Sequence, residues 1–161
     1  MPNAPTVREL HEAATSASIA ADYLALADLA RQMIEVSERT GDARGMLGLA
    51  VVALDVDADA SEARHLYDLA APILRAAGDE RGLGNVLGNL GEIYRLEGSP
   101  RRAEQHAEEA LDLFRKSGNN ALAGWQLSNV AHFRLLQRDE IGAIDNMHEA
   151  YDELAQNPVP R

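Results

Sequence analysis

The sequence predicts an all-α protein, an α-solenoid of about four antiparallel helical hairpins. Three observations predict it. Glycine-led segments recur at Gly41-Asp42-Ala43-Arg44-Gly45, Gly78-Asp79-Glu80-Arg81-Gly82 and Gly118-Asn119-Asn120, 37 and then 40 residues apart. Two alanine series, Ala63, Ala103 and Ala143 together with Ala70, Ala110 and Ala150, share the period of 40. Hydrophobic residues make up 46% of the chain and aromatics only 4%, with Ala and Leu dominant. Ala and Leu are strong helix formers, whereas strands need β-branched and aromatic runs that are scarce here. A period of this length marks stacked supersecondary units, none of which can bury its apolar face alone.

The copies read in order as residues 5–40, 41–77, 78–117 and 118–156, one repeat domain over 1–157 with a tail at 158–161. The first is degenerate. Thr6-Val7-Arg8-Glu9 forms a capping box. Leu26, Ala30 and Met33 fall at the places of Ala103, Ala107 and Ala110. The second runs from Met46 to Leu54, then through Ala63, Leu66, Tyr67, Ala70 and Leu74. It is three residues shorter around Asp55–Asp59. Pro72 lies inside its second helix, and a kink is expected there because Pro lacks a donor and crowds the preceding turn.

The third copy is the clearest. Asp79 is placed to cap a helix over Glu80 to Glu97, with Leu83, Leu87, Leu90 and Tyr94 as its apolar stripe. Gly98-Ser99-Pro100 breaks the chain. Ser99 is expected to cap the next helix, and Pro100 suits its first position, where a missing N–H is harmless. Ala103, Ala107, Ala110, Leu111 and Phe114 form the second stripe, and Gly118 closes the helix. The fourth copy opens with Leu122, Trp125 or Gln126, Leu127 and Val130. Its second stripe is Ala143, Ile144, Met147, Ala150, Tyr151 and Leu154. The Asn157-Pro158-Val159-Pro160-Arg161 tail cannot continue a helix.

Charge narrows the function. Fifteen Lys and Arg face 26 Asp and Glu, for a formal net charge of −11. Nucleic acid and anionic membrane surfaces both recruit basic side chains, so neither is expected as a partner. The absence of Cys removes disulfides and thiolate chemistry. The first residues carry neither a charged nor an apolar leader pattern, and the longest apolar stretch, Met46 to Leu54, is far too short for a membrane span. A cytoplasmic setting is the expectation. The five histidines show no H-x-x-x-H or H-E-x-x-H spacing, and Gly82-Leu83-Gly84-Asn85-Val86-Leu87-Gly88 lies inside a helix with no strand before it. No metal, cofactor or catalysis is expected.

Leu87-x-x-Leu90-Gly91-x-x-Tyr94, followed by Gly98, Ala103 and Ala110, resembles the tetratricopeptide consensus, with Leu87 in place of its Trp. The later Pro of that consensus is absent. The period of about 40 and the Gly-Asp-x-x-Gly openings are similar to tetratricopeptide modules of bacterial transcriptional regulators and signalling proteins. The resemblance implies that first helices line a concave face and that this face holds a protein or peptide.

On that face the predicted site residues are Asn85, Asn89 and Glu92 in the third copy and Trp125, Asn129 and His132 in the fourth. Asn89 and Asn129 share one repeat position. An Asn there often bonds an extended peptide backbone in peptide-binding members, since an amide both donates and accepts; bonding within the hairpin is its structural alternative. Trp125 fits a binding anchor, and it equally fits packing between the last hairpins. Gly88, Ser128 and His132 stand near the places of the basic residues of the carboxylate-clamp type, so that clamp is not expected. The expected function is a non-catalytic protein- or peptide-binding adaptor. The alternative is a regulatory or oligomerising module, with a homodimer through Glu140 to Gln156.

Overall fold

The computed structural model describes residues 5–19, 23–40, 43, 46–47, 50 and 60–156, and no strand occurs among them. Their helices are α1 (Val7–Ile19), α2 (Tyr23–Thr40), α3 (Ala60–Ala77), α4 (Glu80–Leu96), α5 (Pro100–Lys116), α6 (Asn120–Leu136) and α7 (Glu140–Gln156). The all-α hairpin architecture read from the periodicity is the architecture observed. The chain divides into two compact units, Met1–Gly78 and Asp79–Arg161.

In the first unit α1 packs on α2. The capping box forms as its sequence requires. Glu9 Oε2 accepts from the Thr6 backbone N–H at 2.8 Å and from Thr6 Oγ1 at 2.8 Å, and the Glu9 N–H donates to Thr6 Oγ1 at 3.3 Å. These two bonds to Thr6, the backbone one first, hold the Glu9 carboxyl below the usual glutamate range. Met33 is buried; the side chains of Leu26 and Ala30 lie outside the described residues. Of the apolar run from Met46 to Leu54, Met46, Leu47 and Ala50 have helical backbone and Met46 and Ala50 are buried. Asp55–Asp59 and the tail from 157 onward lie outside the described residues. In α3 the stripe Ala63, Leu66, Tyr67, Ala70 and Leu74 is buried, and the helix runs unbroken through an exposed Pro72.

The second unit keeps a beat of twenty residues. Gly98, Gly118 and Arg138 each follow a helix with φ of 74°, 71° and 68°. Each is the left-handed residue of a Schellman turn, in which its own N–H and the next close back on the helix. Ser99 N–H donates to Tyr94 O, Asn119 to Phe114 O and Asp139 to Arg134 O, at 2.8, 2.8 and 3.0 Å. The residue after the turn then caps the following helix. Asp79 Oδ1 accepts from Gly82 N–H, Asn119 Oδ1 from Leu122 N–H and Asp139 Oδ1 from Gly142 N–H, at 2.8, 3.3 and 3.0 Å. Ser99 departs from its expected role and makes no side-chain cap bond. Pro100 follows it at the first helical position, where one of the orphan donors is already missing.

Side chains lock the hairpins together. Ala103 and Ala107 of α5 pack with Val130 and Phe133 of α6, and Tyr94 of α4 lies against the same cluster. Gly91 permits the α4–α5 approach: a Cβ there would stand 3.0 Å from the Ala103 carbonyl oxygen. Arg134 is the polar counterpart. Its guanidinium donates to Glu104 at 2.7 Å, Glu108 at 2.9 Å and Asn146 at 2.7 Å, tying α5, α6 and α7. Arg115 of α5 reaches Glu149 at 2.6 Å and Glu153 at 2.7 Å on α7.

One predicted stripe is corrected. Ala143 and Ala150 of α7 are buried, but Ile144, Met147, Tyr151 and Leu154 are exposed. Forty residues before Met147, Ala107 of α5 packs with Val130 and Phe133 of α6, and among the described residues no helix follows α7 to do the same.

Candidate functional site

The predicted site residues occupy one side of α4 and one side of α6. Helical spacing of three and four residues aligns Asn85, Asn89 and Glu92 on the first, and Trp125, Asn129 and His132 on the second. Asn85, Glu92, Trp125 and His132 are exposed, and Asn89 and Asn129 are half-buried. Trp125 points outward, with 62% of its surface accessible. Between the two readings of the fourth copy's opening, the structure therefore buries Gln126 and leaves Trp125 outside. Of the two roles that fit Trp125, packing between the last hairpins is not the one its exposure supports.

The two helices meet at Gly88. A Cβ on Gly88 would stand 3.2 Å from Gln126 Oε1, so the glycine leaves room for the amide of the neighbouring first helix. Gln126 is only 2% exposed, and its Oε1 accepts from Asn129 Nδ2 at 3.2 Å. Its Nε2 is buried and has no hydrogen-bond partner. A buried donor left unmade costs about 1–3 kcal/mol. Gly88, Gln126 and Asn129 thus form one polar strip across α4 and α6, with Asn89 next to Gly88 and Trp125 next to Gln126 along the chain.

Sequence reasoning placed Gln126 only as an alternative core residue. The available signal was a lone amide in an apolar stripe otherwise made of Leu122, Leu127 and Val130. Glu92 is engaged on its own helix, with its carboxylate paired to Arg95 at 2.5 Å. The hydrogen bond to Glu92 raises the Arg95 guanidinium above its ordinary value. His132 lies edge-on to Phe133, with ring centroids 6.0 Å apart. The predicted residues Asn85 and Glu92 therefore border the strip but are not part of its bonded core.

A separate open depression of about 400 Å³ lies at the α4–α5 turn, lined by Ser99, Pro100, Arg101, Arg102, Leu136 and Gln137. It contains none of the predicted site residues. Among the described residues no group of three His, Asp or Glu side chains is placed to hold a metal ion, and no helix is long and apolar enough to cross a membrane.

Stacked helical hairpins with close glycine and alanine contacts give the protein a tetratricopeptide-like fold. The tetratricopeptide repeat family model matches residues 41–116. Solved structures extend the likeness over nearly the whole chain. BtubC (BKLC) from P. vanneervenii superposes with a TM-score of 0.77 at 18% identity, over 96% of this chain and 67% of that one. The apo form of RapI gives 0.82 at 13% identity, over 96% of this chain and 44% of that one. The signal transduction ATPase with numerous domains (STAND) protein with a tetratricopeptide repeat sensor from Pyrococcus horikoshii gives 0.72 at 16% identity, over 92% of this chain and 24% of that one. This chain therefore spans less than half of RapI and about a quarter of the STAND protein. A comparison with curated proteins gave no match. The fold is tetratricopeptide-like.

Proposed function

We propose that this protein is a non-catalytic adaptor, and that it binds an extended peptide or protein segment along the strip formed by α4 and α6. One observation carries the reading: Gln126 Nε2 is a buried donor without a partner, bonded through its own oxygen to Asn129 and seated against Gly88. Rotation of the Gln126 amide toward the surface of the strip would offer this donor to a peptide carbonyl. Asn89 and Asn129 add amides that match a backbone's alternating donors and acceptors. Trp125 supplies an exposed aromatic surface beside them, of the kind that anchors interfaces. The proposed setting is the cytoplasm, and the net charge of −11 argues against nucleic acid or an anionic membrane as partner.

The test is peptide-display selection on the immobilised protein, repeated on Asn89→Ala/Asn129→Ala. Selected peptides should bind the unaltered protein and lose about tenfold or more in affinity for the double variant, while its helicity is unchanged. Equal binding by both proteins would sink this reading.

A second reading, a regulatory module, draws on RapI and the STAND protein with its tetratricopeptide repeat sensor. In it the same strip receives a signal segment within a larger regulatory system. Its oligomerising version, a homodimer, draws on the exposed apolar residues of α7.

A further inference from the structure

The outer face of α7 is a second surface, distinct from the α4–α6 strip. Ile141 is 76% exposed, Ile144 56%, Met147 50% and Tyr151 74%. At 100° per residue these side chains fall on one arc of the helix, and Leu154 sits at its edge against Gly124. Ala143 and Ala150, which are buried, adjoin the arc on the side of Met147 and Leu154.

The register of the repeat says what such a face does. Met147, Tyr151 and Leu154 stand forty residues after Ala107, Leu111 and Phe114, which are all buried. Ala107 is covered by α6, through Val130 and Phe133. Met147 and Tyr151 thus stand on the side of α7 that corresponds to the side of α5 on which α6 packs.

The chemistry at the rim differs from the internal interface. In α5 the face carries Glu104 and Glu108, which together hold Arg134 of the helix they receive. At the matching places α7 has Ile144 and His148. The helix that α7 receives therefore meets an apolar side chain where α6 places its arginine, and it is not a copy of α6. The acidic groups have moved to the flank: Asp145 and Asp152 are exposed beside Ile141 and His148. The α7 sequence contains no Lys or Arg at all. Two copies of α7 laid face to face would set these carboxylates against one another, which opposes self-association.

We infer that α7 is a docking helix for a partner's amphipathic helix with an apolar stripe flanked by Lys or Arg. The stripe covers Ile141, Ile144, Met147 and Tyr151, and the basic flank meets Asp145 and Asp152. This is helix-on-helix recognition, with affinity from apolar burial and orientation from the charged edge.

The experiment uses fluorescein-labelled helical peptides matching the 17 residues of α7 in length. One has a Leu stripe with Lys flanks, one the same stripe with Glu flanks. Fluorescence anisotropy against the whole protein should show the Lys-flanked peptide binding about tenfold or more tightly than the Glu-flanked one. Ile144→Ser/Tyr151→Ser should abolish that binding without altering the circular dichroism melt, because both side chains are exposed. Asp145→Lys/Asp152→Lys should invert the preference, and Asn89→Ala/Asn129→Ala should leave it unchanged. Indifference to the α7 substitutions, or equal binding of the two peptides, would overturn the inference. So would a dimer in sedimentation velocity that Ile144→Ser/Tyr151→Ser dissolves, because the occupant would then be a second copy.

Discussion

Arg138 stands where the two preceding turns of its unit have Gly98 and Gly118, with the same positive φ. A side chain in that left-handed conformation costs about 1 kcal/mol relative to glycine. Arg138→Gly should therefore raise stability by about 1 kcal/mol and the melting temperature by about 2–4 °C, read by thermal denaturation. Glu9 gives the pH counterpart. Its folded carboxyl lies below the ordinary glutamate value because Thr6 donates two bonds to it. A depressed carboxyl contributes stability above its unfolded value and loses it as pH falls through the folded one. Acidification should thus fray the first turn of α1, seen as faster amide exchange there, with the Glu9 carboxyl carbon titrating below the ordinary midpoint in NMR. Both caps were legible in different degrees. Thr-x-x-Glu is a local pattern and declares itself, whereas the Arg138 turn is visible only by its place in the register.

Individual helices in this chain are held less by their own propensity than by a few contacts between them. Arg134 is the clearest case. Its three acceptors lie on α5 and α7, and its hydrogen bond to Glu104 leads the causes that raise its pKa above the usual arginine value. Arg134→Ala would leave Glu104 and Glu108 close together without their shared cation. A loss of about 1–2 kcal/mol is expected in urea denaturation, against a few tenths for Arg95→Ala, whose pairing is exposed and within one helix. The acidic residues at Glu104 and Glu108 look in sequence like a solvated face. Their partner is 30 and 26 residues away on the next first helix, and one sequence has no local feature that links them. Ser99 is a different case: its type suits a cap, yet it makes no side-chain cap bond.

At the scale of the molecule, 26 acidic side chains against 15 basic ones keep the protein charged and dispersed at neutral pH, and its isoelectric point is near 4.8. Approaching that pH removes the repulsion while leaving the apolar arc of α7 uncovered. Light scattering should therefore rise as pH approaches 4.8, and Ile144→Ser/Tyr151→Ser should suppress much of that rise. Uniform scattering by both proteins would place the association elsewhere. The adaptor reading of the α4–α6 strip belongs to this scale too, since it needs two successive hairpins to bring Gly88 and Gln126 together.

Local chemistry written along the chain specifies the helices, their caps and the glycine turns, because each depends on a few neighbouring residues and a fixed periodicity. The repeat and its small residues at Gly91, Ala103 and Ala110 follow from the same reading. Tertiary packing decides the rest. Trp125 and Gln126 are adjacent, and only the approach of α4 at Gly88 turns the amide inward and the indole outward. Ile144, Met147 and Tyr151 read as core by their spacing, yet a stripe becomes core only when a helix lies on it. Periodicity states which face is apolar; it carries no information about what covers that face.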